Sequence, residues 1–202
     1  MKVTFKMIAA AAVLSGAMAA SSSAATLDFM AEANSYERGV TNGTTITFDG
    51  LDVTFTSSHF AYFDKGNAGL GVCMNMTATN QCNPANDDNL TVGETVTLSF
   101  DTAQNLSGLM FRAEGHIPLS DNRTLMFATN GGALTEYTFA ALSGASFMDV
   151  SSATFGFGGS KPDQYYVQQI TATPTVPLPA TAPLALAGMG ALAMMRRRRR
   201  AA

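Results

Sequence analysis

From Thr44 onward, apolar and polar residues alternate with a period of two. Ile46 and Phe48 are separated by Thr47, and Asp49-Gly50 leads into Leu51, Val53 and Phe55, interleaved with Asp52, Thr54 and Thr56. Val96, Leu98 and Phe100 repeat the pattern against Thr95, Thr97 and Ser99. Further short runs follow at Leu109–Arg112, Leu125–Thr129, Leu134–Phe139, Thr154–Phe157 and Tyr165–Thr173. Side chains in a strand point alternately to its two faces, so each run predicts a strand with one buried face. Asp49-Gly50 marks a turn between the first two runs, and Asn130-Gly131-Gly132 predicts a hairpin joining the Leu125 and Leu134 runs. No window sustains a helical stripe. Many short strands rich in Thr, Val and Phe predict an all-β fold: a single antiparallel β-sandwich, jelly-roll-like.

The two ends break this pattern. Lys2 and Lys6 precede an apolar run from Met7 to about Ala20, and small residues follow. That order predicts a secretory signal peptide over residues 1–24, with Ser22-Ser23-Ala24 placing the cut between Ala24 and Ala25. The Ala17-Met18-Ala19 stretch offers a second cleavage candidate. Near the other end, Leu178 to Met195 is 18 residues without a charge. As a helix it would reach roughly 27 Å, close to the thickness of a bilayer's hydrocarbon core. Arg196, Arg197, Arg198, Arg199 and Arg200 then form a stop, because guanidinium groups are costly to move through lipid and remain cytoplasmic. A basic tail for nucleic acid would explain the arginines but not the 18 apolar residues before them.

Val176, Pro177, Leu178, Pro179 and Ala180, then the apolar segment, then the arginine cluster, together resemble a VPLPA-CTERM sorting signal. This is a variant of the PEP-CTERM signals on exported proteins of Gram-negative bacteria. The resemblance implies processing by an exosortase, a membrane enzyme acting near the motif. It also implies an inner-membrane-anchored intermediate, then delivery to the cell surface or extracellular space, often beside exopolysaccharide. The expected organisation is a signal peptide (1–24), a β-sandwich domain (25–173), and a stiff linker with the sorting signal (174–202).

With both signals removed, five basic residues face all fifteen acids of the chain, a net charge of −10. Such a domain repels nucleic acid and attracts cations. Cys73 and Cys82 are the only cysteines. In an exported protein, a pair so close in sequence predicts a disulfide, and without a nearby His it is a poor zinc motif.

The stretch Asp64–Asn89 looks least like strand, with glycines at 66, 69 and 71 among many Asn and Asp residues. One reading is a polar surface loop pinned by the cystine. The sharper one is a calcium site. Asp64, Asn67, Asp87, Asp88, Asn89 and Glu94 offer hard oxygens, and glycines let carbonyls turn inward. Gly69–Cys73, Cys82-Asn83-Pro84, Asp87–Leu90, Gly93-Glu94 and Gly108–Arg112 also resemble a domain recurring in PEP-CTERM proteins.

Enzyme motifs are missing: the sequence has no GxSxG elbow, no HExxH and no phosphate loop. His116 beside Glu114 could act as an acid–base pair, and a glycan hydrolase would need two carboxylates across a cleft. Phe60, Tyr62, Phe63, Tyr165 and Tyr166 could instead form a stacking surface for sugars. The expectation is therefore a non-enzymatic surface or matrix protein whose partners are the exosortase, the membrane before processing, and exopolysaccharide. A carbohydrate-binding module is the alternative, and a hydrolase ranks behind it.

Overall fold

The computed structural model describes residues 23–175. The signal peptide as far as residue 22, the motif at 176–180, the segment 178–195 and the arginines at 196–200 lie outside the described residues. Among the described residues, no helix is long and apolar enough to cross a membrane.

Strand β1 (Ala25–Asp28) runs directly into a short helix, α1 (Phe29–Ser35). Asp28 stops the strand because its carboxylate accepts a hydrogen bond from the Ala31 amide at 2.9 Å, an N-cap that turns the backbone. Next come β2 (Arg38–Val40), β3 (Thr44–Phe48) and β4 (Leu51–Ser57). The β3–β4 turn falls at Asp49-Gly50 as expected, both residues having positive φ (47° and 83°), which matches the right-handed twist of the flanking strands. β5 (Phe60–Asp64) pairs with β6 (Gly69–Cys73), and a long loop leads to β7 (Thr95–Ala113). The remainder is β8 (Pro118–Leu119), β9 (Thr124–Thr129), β10 (Thr135–Thr138), helix α2 (Phe139–Ser143), β11 (Phe147–Gly156) and β12 (Tyr165–Pro174). β9 and β10 form the expected hairpin, with Phe127 opposite Thr135.

The expected all-β antiparallel class holds. All twelve strands join one hydrogen-bonded sheet whose main path is β10-β9-β11-β7-β12-β6-β5-β2. β7 is its spine. The first half of β7 pairs with β4, where Val53 faces Phe100, and its second half pairs with β12, where Val167 faces Phe111. The alternation reads as two strands, yet one 19-residue strand carries both. β11 lies along it with register shifts around Val150.

Aromatic side chains fill the interior in edge-on pairs. Phe29 meets Phe48 at 5.3 Å, and Phe55 meets Phe63 at 5.5 Å. Phe111, Phe139 and Tyr165 form a second nest with centroids 5.1–5.9 Å apart. Such pairs add about 0.5–1.5 kcal/mol each beyond the area they bury.

Two expectations need correction here. Phe139 does not end a strand: the Thr138 hydroxyl accepts from the Ala141 amide and starts α2. More consequentially, Gly69–Cys73 is not loop but a strand buried along its whole length. Its glycines mark close approach of other backbone. A Cβ on Gly71 would stand 2.0 Å from the Asp88 carbonyl, and one on Gly69, at φ 135°, would stand 2.5 Å from the Val167 carbonyl. Glycine lets the loop after β6 and strand β12 press directly onto β6.

Candidate functional site

That pressing brings one end of β5, the 87–89 loop, the β7–β8 turn and the start of β12 together. Asp64 ends β5 and is buried. Its Oδ2 lies 3.0 Å from His116 Nε2, while His116 Nδ1 lies 3.0 Å from the Gly66 carbonyl oxygen. Both ring nitrogens thus face oxygen acceptors. His116 reaches this position from the tip of the β7–β8 turn, where it has φ 55° and its amide bonds the Ala113 carbonyl. Arg112 secures the turn by donating to the His116 carbonyl at 2.8 Å and to Gln168 at 2.9 Å.

Tyr166 is the second post. Its hydroxyl donates to Asp88 Oδ1 at 2.5 Å, and its ring meets the His116 ring edge-on at 5.5 Å. On the far side of Asp64, the buried Tyr62 hydroxyl donates to Glu37 Oε1 at 2.8 Å, and Lys65 pairs with Glu37 Oε2 at 2.7 Å.

Burial shapes the electrostatics. Desolvation, reinforced by the charge of Asp88, pushes the Asp64 carboxyl up to about 6, with His116 and Tyr166 acting against the rise. Burial also raises Asp88, although Tyr166 hydrogen-bonds its charged form. Burial pulls Glu37 upward too, but the Lys65 and Tyr62 hydrogen bonds outweigh that and leave it below the ordinary carboxylate range. Tyr166 is raised, by burial first and then by the Asp88 hydrogen bond. It is a phenol that keeps its proton.

Of the other expected calcium ligands, Asn89 borders this cluster and the rest are tied to other partners. Asn67 is tied to Asn34, donating its amide to Oδ1 at 3.1 Å and accepting from Nδ2 at 3.2 Å. Asp87 Oδ2 accepts from the Met74 amide at 3.1 Å. Asn89 is buried beside Tyr166. Glu94 is buried, with Oε2 accepting from the Thr91 amide at 2.9 Å and Oε1 unpartnered. Its carboxyl is pushed up to about 7, mainly by desolvation, with Asp87 adding to the rise. Most of these oxygens are committed to separate partners, so the six residues do not form one shell.

Cys73 and Cys82 lie at bonding distance, with Cα atoms 5.7 Å apart. Together with Asp87 they are the trio of His, Cys, Asp and Glu whose ligand atoms fall within 4.8 Å of one another among the described residues.

Two further expectations fail on burial. Tyr62, Phe63, Tyr165 and Tyr166 are core side chains and Phe60 is half-buried, so these five do not form a stacking surface for sugars. Nor does His116 partner Glu114; it turns inward to Asp64. An apolar recess of about 290 Å³ beside Met110, Leu119 and Gln168 is lined by no acid, base or thiol.

The Asp64–His116 and Tyr62–Glu37 contacts join distant parts of the chain, and no motif spacing announces them. Only the positive-φ turn around Gly115-His116 carried a local signal. The chain's address lies elsewhere. Residues 175–200 match the PEP-CTERM protein-sorting motif. A PEP-CTERM motif implies export, a membrane-anchored sorting intermediate in a Gram-negative bacterium, and processing by an exosortase. No curated protein and no solved structure matches the chain.

Proposed function

We propose that this chain is an exported, non-enzymatic protein of the cell surface or extracellular matrix, whose β-sandwich domain is delivered through a VPLPA-type PEP-CTERM signal. The match at residues 175–200 carries this reading. The acidic composition supports it: a domain with net charge −10 stays soluble and resists adhesion to anionic polymers unless cations bridge them. A non-catalytic role is supported by where the acid–base groups point. His116 Nε2 lies 3.0 Å from Asp64 Oδ2, its Nδ1 meets the Gly66 carbonyl, and Asp64 is buried. A cystine at Cys73–Cys82 suits an oxidising compartment.

Within this reading the calcium expectation narrows to the buried Asp64 and the half-buried Asp88, two carboxylates whose charges oppose each other. Exopolysaccharide is the partner class, met through the acidic surface with bridging cations rather than through stacked aromatics.

The test compares fractions of the producing bacterium with and without its exosortase. The expected result is a shortened protein at the surface or in the medium only when the exosortase is present. Equal processing in both strains would remove the reading. Replacing Arg196–Arg200 with Ser should also leave the protein missorted, because the stop against translocation is lost.

A further inference from the structure

The sorting motif begins where the fold has not yet ended. Thr175 is the first matched residue, and it is still tied to the domain. Its amide donates to the Ala103 carbonyl at 3.3 Å, and its hydroxyl donates to the same oxygen at 3.1 Å. Immediately before it, Pro174 pairs with Gln104 of β7, Thr173 with Asn105, and Ala172 with Leu106. Ala172 is also held from the other side, opposite Ala25 of β1. The stiff linker expected from residue 174 therefore belongs, as far as Thr175, to the sheet.

This leaves a processing enzyme little room. An extended chain advances at most about 3.6 Å per residue, so any bond within 176–180 lies within roughly 18 Å of the Thr175 anchor. Peptide-cleaving sites bind their substrates as extended segments on both sides of the bond, largely through backbone hydrogen bonds. For a cut at the start of this motif, the residues on the upstream side are Thr173, Pro174 and Thr175, whose backbone already bonds to β7. Both partners cannot have the same backbone edge.

The fold makes the release of this end local. Thr173, Pro174 and Thr175 are half-buried, whereas Ala172 is fully buried. Peeling back three residues extracts no core side chain, and a fourth would. Pro174 has no N–H to donate to the ladder, so this end is held by fewer bonds than the strand behind it.

We propose that Thr173–Thr175 is a latch on processing: the exosortase acts on molecules in which the end of β12 has left β7, and Ala172, gripped by β1 and β7, is where the opening stops. The latch rests on the exosortase reading and adds a structural gate to it. Processing then follows the population of the opened end rather than the motif alone.

The test uses the full chain in a host carrying the exosortase, with precursor and product followed on blots. A Thr173→Cys/Asn105→Cys pair, facing each other across the β7–β12 ladder, would staple the latch in the oxidising compartment. Processing should slow by about tenfold or more if it tracks the opened population. A spacer of about six Gly/Ser residues after Thr175, roughly 20 Å when extended, should restore it in the stapled chain. Wild-type processing of the stapled chain would overturn the latch, and so would failure of the spacer to restore it. Wild-type protein processed equally without the exosortase would instead sink the underlying reading, so the two failures are distinct.

Discussion

His116 Nε2 sits 3.0 Å from Asp64 Oδ2, tying the β7–β8 turn to the end of β5. Asp64 is buried and its Oδ2 makes no hydrogen bond, so the imidazole is the nearby polar group that offsets the cost of placing a carboxyl there. Replacing His116 with Ala should destabilise the domain by about 1–3 kcal/mol, the cost of leaving a buried carboxyl without its polar neighbour. The exposed Glu114, replaced with Ala, should change stability by less than about 0.5 kcal/mol. Urea unfolding of both variants measures the difference, and equal midpoints would mean that the ring does not support Asp64.

Raised carboxyls make a definite prediction about pH. Asp64 is pushed to about 6 and Glu94 to about 7 in the folded state, with Asp88 also raised. A group that holds its proton more tightly when folded stabilises the fold below its unfolded pKa. That contribution is lost as pH rises through the folded value. Stability should therefore fall between about pH 4 and pH 7. Glu94→Gln should flatten the curve. Added salt should not, because a buried carboxyl is screened far less than the surface charge of an acidic domain. A melting temperature unchanged from pH 5 to pH 8 would contradict this.

Calcium is tested through the same groups. At pH 8 Asp64 is ionised beside Asp88, and a divalent ion there would raise the melting temperature by several degrees through its preference for the folded state. At pH 5 the proton competes and the shift should vanish. Asp88→Asn should abolish the shift at pH 8. No shift at pH 8 would exclude this site.

Gly71 and Gly93 separate two uses of glycine. Gly71→Ala would drive a methyl group to 2.0 Å from the Asp88 carbonyl oxygen, lifting the 87–89 loop from β6. A loss of roughly 2–4 kcal/mol is expected, at the upper end of typical overpacking effects. Gly93 has φ 83° and open space around its Cβ position, so Gly93→Ala should cost only the backbone strain, about 1–2 kcal/mol. Thermal melts give the ranking, and the reverse order would refute it.

Much of the fold was legible along the chain. Turns at Asp49-Gly50 and Asn130-Gly131-Gly132 were readable because positive φ is a local demand met by few residue types. Most strands were readable because a half-buried strand shows its period. β6 was not, because a strand buried on both faces and crowded by other backbone replaces alternation with glycine. The aromatic residues were readable as strand residues but not as core or surface, since Tyr165 and Tyr166 are adjacent and both buried.

The sequence by itself determined the address, the antiparallel β class and the excess of acid, because each is a property of neighbouring residues or of simple composition. Only the tertiary structure decided that Asp64 meets His116, that Tyr166 meets Asp88, and that the sorting motif starts on a residue still bonded to the sheet. Those contacts arise when β5, β7 and β12 close against one another, and pairing between distant strands leaves no periodic trace in the strands themselves.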